Sequence, residues 1–263
     1  MRFRRSRTLA PTPRHLASEV RRRETLGFRE LEVGRRGHCV RRGGVDFVDC
    51  SRNNGGVNRD DVWSSVDAER RSVVADLESL EPSRWALPSL CAGLSVREVL
   101  AHMTVSGAVS GPRWFAGVVR ARFDFDQQVH DRLREQLGRD GVDTLRRCAA
   151  TGGSRVSPPL PRLALLGEMV VHGEDIRWSL GIERTYPPVV LAALLRYYAS
   201  TDQVVVAKKR VRGLKREATD QDIVVGRGDV VRGPALALIM AMVGRSAFLP
   251  QLSGSGASVL AAK

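Results

Sequence analysis

Lysine is scarce in this 263-residue chain: only Lys208, Lys209, Lys215 and Lys263 stand among 42 basic residues, so the net charge of +13 is carried by arginine. That bias, with abundant Ala, Val and Gly, points to a GC-rich coding sequence and says little about chemistry. Long apolar runs are missing as well. The longest, Ala235 to Val243, has nine residues, far short of the roughly 20 that span a bilayer, which excludes a helical membrane crossing. No apolar stretch follows the N-terminal arginines, so no secretory signal is expected and the location expected is the cytoplasm. Cysteine is limited to Cys39, Cys50, Cys91 and Cys148, with no C-x-x-C spacing. This argues against a thiolate zinc site or a disulfide framework and for reduced thiols. What remains is 43% hydrophobic residues, enough to build a core.

The positive charge is unevenly placed. Residues 1–58 hold 14 Arg against 6 acidic residues, which is +8 of the +13. They mix Arg clusters with Gly, Pro and Asn and show no sustained periodicity, so residues 1–57 are expected to form a basic, disordered extension. An alternative is that translation starts at Val57. A phosphate-gripping arm would explain the charge, but Phe3, Phe28 and Phe47 are isolated, and base stacking has no platform. Nucleic acid is therefore not an expected partner, and His15 and His38 in this arm are not site candidates.

From residue 58 the pattern changes. Val62, Val66, Val73, Leu77 and Leu80 recur at helical spacing, with Asp67 and Arg71 as an i,i+4 pair, which predicts a helix over 59–80. Pro82 and Pro88 bracket a loop. Ser95, followed three residues later by Glu98, is a capping-box signature that starts a second helix. Further helices are expected over 124–137, 160–180 and 188–206, separated by turn-forming "GRDGVD", "TGGSRVSPPLP" and "GIERTYPP". Residues 217–233 offer two short strands around a Gly226–Asp229 turn, and Gly233–Pro234 opens an apolar helix to Gly244. The expected organisation is a helical bundle over 58–208 followed by a small α+β segment over 209–263.

The stretch "GEMVVHGEDIRWSLG" (167–181) holds an anomaly. At about 100° per residue, Leu165, Met169, Ile176 and Leu180 share one sector; His172 falls inside it and Glu168 at its edge, about 40° from the histidine. On the second helix Val99, Met103 and Ser106 define the inward stripe and His102 lies on its margin. A buried carboxylate is costly unless paired, hydrogen-bonded or metal-bound. Two explanations stand on spacing alone. The histidines are satisfied core residues and Glu168 pairs with an arginine; or two imidazoles and a carboxylate hold a divalent metal across the bundle. His130, among charged residues, belongs to a solvated face.

"WALPSLCAGLSVREVLAHMT" (85–104), "LLGEMVVHGEDIRWSLG" (165–181) and "RGPALALIMAMVGR" (232–245) together resemble the actinobacterial mycothiol-dependent maleylpyruvate isomerase family, a branch of the DinB-like metal-binding bundles. The resemblance spans roughly residues 57–257. It implies a mostly α fold, a DinB-like four-helix bundle with a small C-terminal α+β extension. It also implies a metal, usually zinc, on His102, Glu168 and His172, and mycothiol as cofactor or cosubstrate. The implied activity is isomerisation or S-transfer on a small electrophile; a noncatalytic metal-binding bundle is the alternative. No protein cysteine need be the nucleophile, and Cys91 is expected to pack as a small apolar side chain. Asp175 and Arg177 are candidate supporting contacts, Arg177 more as an exposed salt bridge. Trp85, Trp114 and Trp178 are candidates for lining a pocket. The tail looks shorter than the C-terminal domain of full isomerases.

Overall fold

The computed structural model describes residues 59–263. The extension expected over residues 1–57 lies outside the described residues, with His15, His38, Cys39 and Cys50.

Among the described residues, seven α-helices come first. Helix α1 (Arg59–Leu77) buries Val62, Val66, Val73 and Leu77 along one stripe. Asp67 on it pairs with Arg70 (3.7 Å) and Arg155 (2.6 Å), in place of the expected Arg71. The loop after α1 contains a 3₁₀ turn (Pro82–Ala86) that buries Trp85. Helix α2 (Val96–Ala108) starts where the capping box requires: the Ser95 amide donates to Glu98 Oε2 at 2.8 Å and the Glu98 amide to Ser95 Oγ at 3.4 Å. Then come α3 (Gly111–Arg120), α4 (Phe125–Gln136), α5 (Gly141–Ala149), α6 (Arg162–Leu180) and α7 (Pro188–Ser200). Two of these, α3 and α5, were not expected, and α7 ends six residues before the expected boundary.

Helix α6 is the axis of the molecule. Of its 19 residues, 14 are buried, because α1, α2 and α7 pack around it. A helix surrounded in this way needs no apolar stripe and can carry polar groups on two faces, provided each finds a partner. It stops at Gly181, whose φ of 68° is the left-handed cap conformation that glycine adopts without strain.

The strands are β1 (Leu214–Ala218), β2 (Val224–Gly226) and β3 (Asp229–Gly233), in the order β2-β1-β3. β1 pairs antiparallel with β2 (Lys215 opposite Gly226) and parallel with β3 (Leu214 opposite Asp229). The expected pair of strands around Gly226–Asp229 is thus split by a strand from earlier in the chain. Helix α8 (Ala235–Met242) follows Pro234 and packs on α7. A 3₁₀ turn (Ser246–Gln251) and α9 (Ala257–Ala261) complete the element order. The mostly helical fold with a small sheet toward the C-terminus matches the expected class. Among the described residues, no helix is long and apolar enough to cross a membrane.

Candidate metal centre

Helices α2 and α6 meet through apolar stripes in which Val99, Met103, Leu165 and Met169 are each at most 2% exposed. Polar side chains at the margins of those stripes are held side by side. His102 Nε2 lies 3.2 Å from Glu168 Oε2, and His172 Nε2 lies 3.5 Å from the same oxygen. The imidazoles stand edge to face, with centroids 4.8 Å apart and planes at 80°. One ligand atom from each of His102, Glu168 and His172 lies within 4.8 Å of the other two. The alternative pairing of Glu168 with a guanidinium is not what the structure shows; its carboxylate faces two imidazoles.

The far nitrogen of His172 is also fixed. Asp175, one helical turn on and fully buried, takes a 2.9 Å hydrogen bond at Oδ2 from His172 Nδ1. An ionised carboxylate can only accept, so Nδ1 carries a hydrogen, and Nε2 is the ring atom left on the Glu168 side. Asp175 is in turn gripped by Arg245, which follows α8: Nε donates to Oδ1 at 3.0 Å and Nη2 to Oδ2 at 2.7 Å. Sequence reasoning did not single out Arg245, although it closes the third quoted motif. Its partner lies 70 positions away, beyond the reach of any helical wheel.

The electrostatics follow from this chain of contacts. Burial alone would raise the Glu168 carboxyl, but the hydrogen bonds and charge of His102 and His172 hold it well below the ordinary carboxylate range. Burial disfavours the His172 imidazolium, yet Asp175, Cys91 and Glu168 together raise its pKa well above the ordinary value. Asp175 is lowered, against burial, by His172 and Arg245. Two imidazole nitrogens and a carboxylate oxygen thus converge on one point, a donor set that, with both imidazoles neutral, suits zinc and neighbouring divalent ions.

The other expectations fare differently. Cys91 is half-buried against the core, but its thiol also meets His172 and Asp175, because the Leu90 amide docks the loop on the Asp175 carbonyl at 3.2 Å. Arg177 is not an exposed salt bridge. It is 1% exposed, donating to Asp76 (2.7 Å), Tyr186 (2.8 Å) and Ser72 (3.0 Å), while the Tyr186 hydroxyl donates to Glu174 at 2.6 Å. This network occupies the α1 side of α6, away from the two imidazoles. Trp85 is buried against Gly141, and Trp178 lies on Phe248 with 44% of its surface exposed. Trp114 is half-buried on α3, and its carbonyl accepts from Gln128. His130 is exposed, as expected.

Residues 66–151 match the family described as the mycothiol maleylpyruvate isomerase N-terminal domain. Two solved structures share the fold. One is a mycothiol-dependent maleylpyruvate isomerase (TM-score 0.51, 12% identity) and the other a histidine-to-alanine mutant of such an enzyme (TM-score 0.53, 10% identity). Each likeness covers 76% of this chain and 94% of the other. That coverage overturns the expectation of a shortened tail at the level of fold. No curated protein matches.

Proposed function

We propose, for a chain that shares a family domain and a fold with mycothiol-dependent maleylpyruvate isomerases, that it is a metal-dependent enzyme using mycothiol on a small electrophile, by isomerisation or S-transfer. His102, Glu168 and His172 would hold the metal, zinc before other divalent ions. A cation bound there would favour the thiolate form of a thiol ligand, the nucleophilic species.

The rest of the chemistry belongs to the chain's own side chains. Asp175 holds His172 in the tautomer that presents Nε2, and Arg245 holds Asp175. Glu168, kept ionised at neutral pH, offers a carboxylate without first releasing a proton. The half-buried positions of His102 and Glu168, with side chains 23% and 18% exposed, leave an opening for a ligand from solvent. The carrying observation is the convergence of three donor atoms within 4.8 Å at the α2–α6 seam.

Zinc binding by calorimetry on the full chain tests the metal. Thermal stabilisation by mycothiol, with and without zinc, tests the thiol, because a thiol ligand of the metal adds stability only to the loaded protein. A folded protein that stays metal-free in excess zinc would overturn the proposal. Zinc binding without any mycothiol response would leave a metal-binding bundle and remove the enzyme.

A further inference from the structure

Helix α3 takes no part in the proposed metal centre and, among the described residues, packs chiefly on α4. It turns Gly117 and Val118 inward. At about 100° per residue Pro112, Phe115, Ala116 and Val119 share another face, and all four are exposed. Phe115 keeps 64% of its surface in solvent and Val119 50%. Phe123, just past the helix end, keeps 65%. A single exposed apolar residue needs no explanation, but a run of them does.

The backbone at the end of α3 does not call for a bulky side chain. Arg122 and Phe123 have φ of 52° and 64°, the left-handed region that suits glycine and strains a bulky residue. An exposed ring contributes little burial to offset that strain. Charge marks the same helix. No acidic residue lies between Glu98 and Asp124, whereas Arg113, Arg120 and Arg122 are all exposed. Arg113, Arg120 and Arg132 share the one carboxylate of Glu135, at 3.2, 3.5 and 2.8 Å, so positive charge is in excess there. Of the carboxylates that follow, Asp124 caps α4 by accepting from the Gln127 amide at 3.0 Å, and Asp126 stands in the first turn of α4, where the helix dipole favours it.

We propose that α3 is a docking face for an anionic lipid surface, on which it lies without crossing. Phe115, Val119 and Phe123 enter the boundary between headgroups and acyl chains, and Arg113, Arg120 and Arg122 meet lipid phosphates. A stripe carried by one helix lacks the second wall of a peptide-binding groove. A second copy of the chain fits less well, because each copy brings a net charge of +13. Residues 1–58, which hold +8 of that charge, are repelled by the same arginines. Nucleic acid offers opposite charge without an apolar layer. An anionic lipid surface offers both.

The test is co-sedimentation of the full chain with vesicles of equal parts phosphatidylglycerol and phosphatidylcholine, and with vesicles of phosphatidylcholine alone. Wild type should bind the anionic vesicles and scarcely the neutral ones; no binding to the first, or equal binding to both, would overturn the proposal. Phe115→Ser with Phe123→Gly keeps every arginine, those of residues 1–58 included, and should weaken binding at least about tenfold. Unchanged binding would assign the attraction to charge elsewhere in the chain and overturn the role of α3. Phe123→Gly alone separates docking from folding, because glycine relieves the left-handed φ. Its Tm should hold or rise while vesicle binding weakens; a lowered Tm would overturn the proposal by showing that the ring serves the fold. Without lipid, sedimentation velocity should find wild type and the double variant alike. A wild-type dimer that the two substitutions dissociate would give the face to a second copy instead.

Discussion

Glu168 presents one oxygen to two imidazoles, so its charge rather than its volume is what the triad uses. Glu168→Gln keeps the shape and removes the charge. Zinc affinity should fall by at least about tenfold while helix content by circular dichroism stays the same, since charge-assisted contacts are about twice as strong as neutral ones; unchanged affinity would take Glu168 out of the metal site. The metal-free protein carries a pH signature with a definite sign. Glu168 is depressed in the fold, so its contribution is present above the unfolded carboxylate pKa of about 4.3 and lost as pH falls below it. His172 is raised, so its contribution is full below about 6.5 and fades as pH climbs through the higher folded value. With zinc chelated, Tm should peak at about pH 5–6 between those values, and Glu168→Gln should flatten the curve. A helical wheel was enough to aim His102, Glu168 and His172 inward. It misplaced Arg177, because an angle along one helix says nothing about whether α1 supplies Asp76 and Ser72 to receive a guanidinium.

Helix α6 has two polar faces that should act independently. On the α1 side, Tyr186 accepts from Arg177 and donates to Glu174, whose carboxyl is raised, chiefly by burial. Tyr186→Phe leaves a buried carboxylate short of a donor, which should cost about 1–3 kcal/mol in urea denaturation. Zinc affinity should not change, since the proposed metal donors face α2; a parallel loss would show the faces to be coupled. The helices legible in the sequence were those with a strong start signal or stripe: the Ser95–Glu98 box for α2, the valine stripe for α1, the long apolar pattern for α6. Helices α3 and α5 were missed because they begin with Gly111–Pro112 and Gly141, residues that usually mark turns. In context Pro112 occupies the first turn, where its missing N–H costs nothing, and Asp140 caps α5 by accepting from the Asp143 amide at 2.8 Å. The sheet order was out of reach because β1 lies between β2 and β3 and pairs in parallel with β3, and no local turn encodes that.

At the scale of the molecule, the C-terminal segment and the bundle share, among the described residues, one ion pair, between Arg245 and the fully buried Asp175. Helix α8 packs on α7, and the chain then turns at Gly244, with φ of 92°, to aim Arg245 at Asp175. The pair links the last third of the chain to the tautomer of His172, and through it to the proposed metal donors. If that linkage holds, Arg245→Gln should weaken zinc binding about 10- to 100-fold, the usual loss when a partner behind a metal-bound histidine is removed. Asp175→Asn should do the same. The double variant should lose little more than either alone, because each breaks the same chain of contacts. Additive losses would mean that Arg245 and Asp175 support the site by separate routes. The cost to the fold separates the two residues. Arg245→Gln leaves a fully buried carboxylate with His172 as its one remaining side-chain donor and no guanidinium beside it, whereas Asp175→Asn leaves a guanidinium that still reaches the Val243 carbonyl at 2.9 Å. Thermal denaturation of the zinc-free proteins should therefore rank Arg245→Gln as the less stable of the two.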